Sequence, residues 1–218
     1  MKHVPRLLRP LHLFSVFGLC LAFQSALAGE YNAVLNIGDP MPSFSELPTV
    51  SGEALSSSDL DEDVVLLVSL SNTCPFSRGI EEDLIKLVEK FEDQSVAVVA
   101  MSFNINYLDK MDAMRERAEE RGFNFRYLRD DSQQLGRALG TSVTPEFFVF
   151  NKNRELVYMG LLHNSPAMEQ GDDEWVYLRG EPKDFYVEDA IEHALAGTED
   201  KISVRETSAY GCTVEYMN

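Results

Sequence analysis

The sequence predicts an α/β protein, a three-layer sandwich with a central mixed β-sheet flanked by helices. Three observations carry this. Val64–Leu70 and Val96–Phe103 are continuous apolar runs, the pattern of strands buried on both faces. The segments between and after them place apolar residues at helical spacing. Glu146–Phe150 and Glu155–Met159 are two further strands joined by Asn151–Lys152–Asn153–Arg154, a hairpin signal. Strands alternating with helices, then a hairpin and a last helix, give a layered α/β architecture.

The elements follow in order. Residues 30–63 are broken by Pro40, Pro42, Pro48 and Gly52, with a turn at Ser56–Ser57–Ser58, and should hold a short strand or hairpin. From Arg78 to Phe91, Ile80, Leu84, Leu87, Val88 and Phe91 share one helical face, with Glu81, Glu82, Asp83, Lys86 and Lys90 outside it. Asp109 to Arg121 reads as a charged helix ended by Gly122. Phe125–Leu128 reads as a short strand at a sheet edge. Asp131 is expected to cap a short helix running through Leu139 and stopped by Gly140. Residues 161–183, with Pro166, Gly171, Gly180 and Pro182, read as a long surface loop. Asp184 is expected to cap a final helix with Val187, Ala190, Ile191, Ala194 and Leu195 inward and Gly197 as its stop. A tail, about 198–218, follows.

The N-terminus has the pattern of a secretory signal. Lys2, Arg6 and Arg9 form a basic start, and Leu11 to Phe23 is an apolar run too short for an ordinary membrane span. Ala26–Leu27–Ala28 then offers small residues where a signal peptidase reads. The expectation is a signal peptide over 1–28 and a single domain over 29–218, exported to the periplasm or beyond the cell, with no stable membrane insertion after cleavage. The competing reading is an uncleaved anchor. Lipid attachment at Cys20 would want a small residue where Leu19 stands. Cleavage leaves Cys74 and Cys212, too few for a disulfide scaffold but enough to pair or to work in an oxidising compartment. The net charge is −17 before the basic leader is removed. That balance argues against nucleic acid and anionic membrane faces. It suits a solubility surface or a docking face for a basic partner.

The chemistry is expected in Ser71–Asn72–Thr73–Cys74–Pro75–Phe76–Ser77, where a buried strand passes through a loop into a helix. Functional groups of such sheets sit beyond the carboxyl ends of the strands. Unpaired N–H groups at a helix start favour an anion, so the position favours a reactive thiolate at Cys74. The blander reading is a structural cysteine buried in the core.

The strand–loop–Cys74–helix unit, with Val143–Thr144–Pro145 before the strand at Glu146, resembles the thioredoxin fold. Within it the pattern is similar to the redoxin branch that contains alkyl hydroperoxide reductase and thiol-specific antioxidant-like proteins. Asn72–Thr73–Cys74–Pro75 resembles the Asn-x-Cys-Pro signature of a bacterial group in that branch, and Tyr210–Gly211–Cys212–Thr213–Val214 resembles its C-terminal Gly-Cys segment. The likeness spans roughly residues 38–216. It implies a cis peptide at Thr144–Pro145, packed beside the cysteine and presenting an incoming substrate strand by β-addition. Pro75 and Phe76 would flank that substrate.

Two departures stand out. Ser77 occupies the second cysteine position of Cys-x-x-Cys. Of the peroxiredoxin pattern Pro-x-x-x-Thr/Ser-x-x-Cys, Ser71 fits the hydroxyl, but Leu67 occupies the proline position.

The roles follow from these residues. Cys74 is the candidate nucleophile toward a disulfide sulfur or a peroxide oxygen. Cys212 has three readings: a thiol that resolves Cys74, a permanent bridge to it, or a lone thiol on a flexible tail. Ser77 could donate a hydrogen bond to the thiolate. Arg78 either holds it by charge or is a solvated surface residue. Glu146 is either a proton acceptor or a strand-start residue facing water. Exported thioredoxin-like copper carriers use Cys-x-x-x-Cys with a distant His, and spacing does not support a Cys74, Cys212, His163 site here. His193 falls in the final helix. Phosphate loops, Gly-x-Ser-x-Gly elbows and His-Glu-x-x-His are absent from the sequence, and no cofactor is expected.

The leading expectation is an exported thiol oxidoreductase. It would act on a protein or small-molecule disulfide or a hydroperoxide, with an electron-donor thiol protein as partner. The alternative is a non-catalytic binding module capturing a protein partner or copper.

Overall fold

The computed structural model describes Met1, residues 29–171 and residues 174–217. Apart from Met1, the expected leader, with Cys20, lies outside the described residues. A short antiparallel pair, β1 (Leu47–Pro48) and β2 (Ala54–Leu55), opens the fold. Then come β3 (Val64–Ser69), α1 (Pro75–Gly79), α2 (Glu81–Lys90), β4 (Val96–Ser102), α3 (Met111–Arg121), β5 (Arg126–Arg129) and α4 (Gln134–Leu139). The chain continues through β6 (Val143–Thr144), β7 (Glu146–Phe150), β8 (Leu156–Gly160), β9 (Ala167–Gly171), β10 (Glu174–Tyr177), α5 (Tyr186–Ala196) and β11 (Cys212–Thr213).

The central sheet has the order β5-β4-β3-β7-β8. β3, β4 and β5 run parallel, while β7 is antiparallel to β3 and β8 to β7. Successive strand residues point to opposite faces, which divides the apolar runs between two cores. On one face Leu66, Val68, Ala100 and Val149 meet Leu84 and Leu87 of α2, Met114 of α3, and Val187 and Ile191 of α5. On the other Val65, Leu67, Val99 and Phe148 meet Leu135 and Leu139 of α4, with Leu35, Phe44, Leu55 and Val214 from the two ends of the chain. β3 is buried throughout, so the loop after it leaves the sheet from its centre.

Several expectations change in contact with tertiary packing. The helix read over Arg78–Phe91 is two helices with a break at Ile80. A Cβ on Gly79 would stand 2.7 Å from Met168 N, so α1 lies tight against β9 and the chain re-aims before continuing. Asp109 does not start the charged helix: it ends a 3-10 turn, is fully buried, and α3 begins two residues later. Asp130, not Asp131, receives the Leu135 N–H at 2.8 Å at the start of α4. Asp131 pairs instead with Lys110 and Arg129, which lower its pKa. Asp184 accepts from Asn164 Nδ2 at 2.8 Å, and Phe185 is the residue that precedes α5. Residues 161–183 are not a surface loop. They contain the β9–β10 hairpin, and Leu161, Leu162, His163, Ser165 and Ala167 are buried. Gly122, Gly140 and Gly197 end their helices in the left-handed conformation that glycine adopts freely. Among the described residues no helix is long and apolar enough to cross a membrane.

Candidate functional site

The site is built where β3 ends. Cys74 is the N-cap of α1 and Pro75 takes the first helical position, where a missing N–H leaves nothing unsatisfied. The turn closes through Cys74 N–H to Ser71 O at 3.1 Å and Arg78 N–H to Cys74 O at 3.0 Å. Cys74 is 1% exposed, and its Sγ donates to Thr144 O at 3.0 Å. The Thr144–Pro145 peptide is cis.

The loop is fixed by a residue that sequence reasoning missed. The Asp109 carboxylate accepts from Ser71 Oγ at 2.9 Å, Asn72 N at 2.7 Å and Thr73 Oγ1 at 3.2 Å, all from the three residues before Cys74. Ser102 Oγ adds a fourth bond at 3.3 Å. Buried polar groups of this kind need partners. The sequence did carry a signal: three consecutive polar residues at the end of a buried strand call for an acceptor that the loop itself does not contain.

The tail is paired with the body of the fold rather than loose. β11 pairs antiparallel with β6, setting Cys212 opposite Thr144 and Thr213 opposite Val143. Cys212 thus lies opposite the residue whose carbonyl accepts the Cys74 Sγ, and both are free thiols. Burial, then its interaction with Cys74, pushes the Cys212 pKa up to about 12. The Phe76 backbone N–H and the Arg78 charge act in the opposite sense. A polar cleft of about 210 Å³ opens beside Cys212, lined by Ser71, Thr73, Asn104, Asn106 and Thr144 among others. On the other side Phe76, Ile80, Pro145 and Phe147 line an apolar notch together with Tyr210, whose ring meets Phe76 edge-on at 5.2 Å.

The remaining candidates separate. Ser77 Oγ accepts the Ser71 N–H at 3.2 Å, which places it in the frame of the loop. Arg78 pairs with Glu169 of β9 at 2.6 Å, so it is not a freely solvated residue. Glu169 also lies 3.6 Å from Arg117, which binds the buried Glu81. Burial raises the Glu81 pKa against the pull of Arg117. Glu146 does not face water: it is buried, and burial lifts its carboxyl pKa to about 8 against a long bond from Ser142 N–H. His163 turns Nε2 to Asp83 at 3.1 Å, and His193 Nδ1 lies 2.9 Å from the Thr198 hydroxyl just beyond α5. Among the described residues no cluster of three or more His, Cys, Asp or Glu is placed to hold a metal ion.

A mixed sheet of this order, with a cysteine at the start of a helix and a cis-proline facing it, defines a thioredoxin-fold protein. The chain belongs to the AhpC/TSA family, whose model matches residues 37–159. Membership points to thiol redox chemistry. The chain is similar to an uncharacterized conserved protein from Geobacillus kaustophilus: TM-score 0.73, 24% identity, 85% of this chain and 95% of that one covered. It is similar to a hypothetical protein from Sinorhizobium meliloti 1021: TM-score 0.71, 25% identity, 85% and 97% covered. A thiol:disulfide interchange protein of the thioredoxin family from Chlorobium tepidum shares the fold at TM-score 0.51 and 15% identity, with 76% and 99% covered. No curated protein matches the chain.

Proposed function

We propose that the protein is an exported thiol oxidoreductase that exchanges disulfides, with Cys74 as nucleophile and Cys212 as the resolving thiol. The meeting of both cysteines at Thr144, one bonded to its carbonyl and the other paired opposite it, carries this reading. The Cys74 thiolate attacks one sulfur of a substrate disulfide; that S–S bond breaks and the other sulfur leaves as a thiolate. The Cys212 thiolate then attacks the Cys74 sulfur and releases the second substrate thiol. Two electrons pass to the substrate, and a Cys74–Cys212 disulfide remains for a dithiol reductant to reopen. The order of events suits the electrostatics. Two of the causes that raise the Cys212 pKa come from Cys74 itself. They disappear once Cys74 is held in a mixed disulfide, which makes Cys212 easier to ionise at the moment it is needed, although burial, the larger cause, stays.

Disulfide exchange is favoured over peroxide reduction because the Ser71 hydroxyl is committed to Asp109 and Leu67 stands at the proline position. Export rests on the N-terminal pattern. The test is turnover with a peptide disulfide and with a hydroperoxide, each with a dithiol reductant, on wild type, Cys74→Ser and Cys212→Ser. The expected result is disulfide turnover lost in Cys74→Ser, and in Cys212→Ser a mixed disulfide that accumulates. Mass mapping of oxidised wild type should find a Cys74–Cys212 peptide. No turnover with either substrate and two unreacted thiols after mild oxidation would leave the binding module as the better account.

A further inference from the structure

We infer that residues 208–213 are a built-in pseudo-substrate, and that their sequence states the class of ligand the site takes: an extended polypeptide segment with an aromatic residue, then glycine, then the reacting cysteine. The inference rests on the thiol-exchange reading above and adds the substrate class and the state of the site at rest. β6 is the short edge immediately before Pro145, and β11 already covers it in antiparallel register, with Cys212 opposite Thr144. An incoming strand would pair with the same backbone groups, so Cys212 stands where a substrate cysteine would stand. Cys74 is correspondingly hidden, while Cys212 borders the open cleft.

Each position of the segment meets a distinct feature. A Cβ at Gly211 would lie 1.9 Å from Thr144 O and 2.6 Å from Thr144 C. These are backbone atoms that cannot rotate aside, so glycine is required before the cysteine. Tyr210 packs edge-on against Phe76 in the notch that Pro145 also lines. The segment is held from both ends. Thr207 N–H donates to Met159 O at 3.1 Å, Val214 N–H donates to Ser142 O at 2.9 Å, and Val214 is buried in the second core. What lies between is joined to the site by a two-residue ladder, which an arriving strand can replace bond for bond.

Two measurements on the full chain test this. In the first, reduced wild type and Gly211→Ala are labelled with iodoacetamide and the Cys74 peptide is followed by mass. Gly211→Ala should expel the segment and speed Cys74 labelling about tenfold or more, the equivalent of losing one pairing hydrogen bond. An unchanged rate in a folded variant overturns the inference.

The second needs no change at position 211. The Cys212→Ser chain is mixed with an activated disulfide of the peptide Ser-Ala-Tyr-Gly-Cys-Thr-Val-Glu, or of the same peptide with alanine for glycine, and mixed-disulfide formation at Cys74 is timed. The glycine peptide should react about tenfold faster. Equal rates overturn the pseudo-substrate and leave thiol exchange standing; no reaction with either peptide overturns both.

Discussion

Cys74 sits in a loop whose three preceding residues converge on one buried carboxylate, whereas Cys212 sits on a two-residue strand laid over the edge of β6. The first sulfur is fixed by polar bonds that reach across the fold; the second is kept in place by anchors on either side of it. The proposed dithiol exchange needs this inequality. In it one sulfur would stay aligned with the Thr144 edge while the other withdraws and returns. In a Cys-x-x-Cys motif both sulfurs belong to one helix turn, and here Ser77 has taken the second place and serves the loop instead.

The comparison breaks most severely at Asp109. Asp109→Ala removes the acceptor shared by the Asn72 N–H and the Ser71, Thr73 and Ser102 hydroxyls, and should cost about 3–5 kcal/mol in denaturant unfolding. Cys74 labelling should rise in the fraction that remains folded. If the variant unfolds at the wild-type midpoint, the loop is not held as described.

The next effect is on the floor both regions share. The Glu146 carboxyl is raised to about 8 from an ordinary 4.5. Below the ordinary value both folded and unfolded chains carry its proton. Between 4.5 and 8 the folded chain keeps a proton the unfolded chain has lost, so stability falls as pH rises through that window. Glu146→Gln removes this dependence and should be more stable than wild type at pH 9 by on the order of 3 kcal/mol. Parallel pH–stability curves for the two proteins would show that Glu146 does not hold its proton.

The smallest expected effect lies in the tail. Tyr210→Ala removes one edge-on ring contact and should cost about 1 kcal/mol. Cys74 labelling should nevertheless change more than stability does, because the loss falls on the segment that covers the sulfur. A tail as firmly fixed as the loop would show the reverse.

Much of the fold was legible because the central strands of the sheet are apolar along most of their length. Val64–Leu70 and Glu146–Phe150 have no reading other than buried strands, and Gly122, Gly140 and Gly197 mark their helix ends. Helix starts were read less well, since which acid binds which N–H depends on what packs nearby: Asp130 took the place given to Asp131, and Asp184 turned to Asn164. The β9–β10 hairpin was hidden because its strands are short, partly exposed and rich in Glu and Gln. Of the site, Cys74, Pro75, Thr144, Pro145 and Cys212 could be named from motifs. Asp109 could not, because a lone acid 35 residues downstream carries no local mark of what it will bind.

Gly160 adds a limit of reach. At φ 133°, it leaves no room for a Cβ, which would fall 2.1 Å from the Thr207 hydroxyl oxygen, so the stretch entering the tail is seated flush on the end of β8. With Val214 fixed in the core, residues 208–213 have at most about 20 Å of contour between two moorings. That tether keeps the second sulfur within a short reach of the first, so in the proposed exchange closure after each reaction would be a local movement rather than a search.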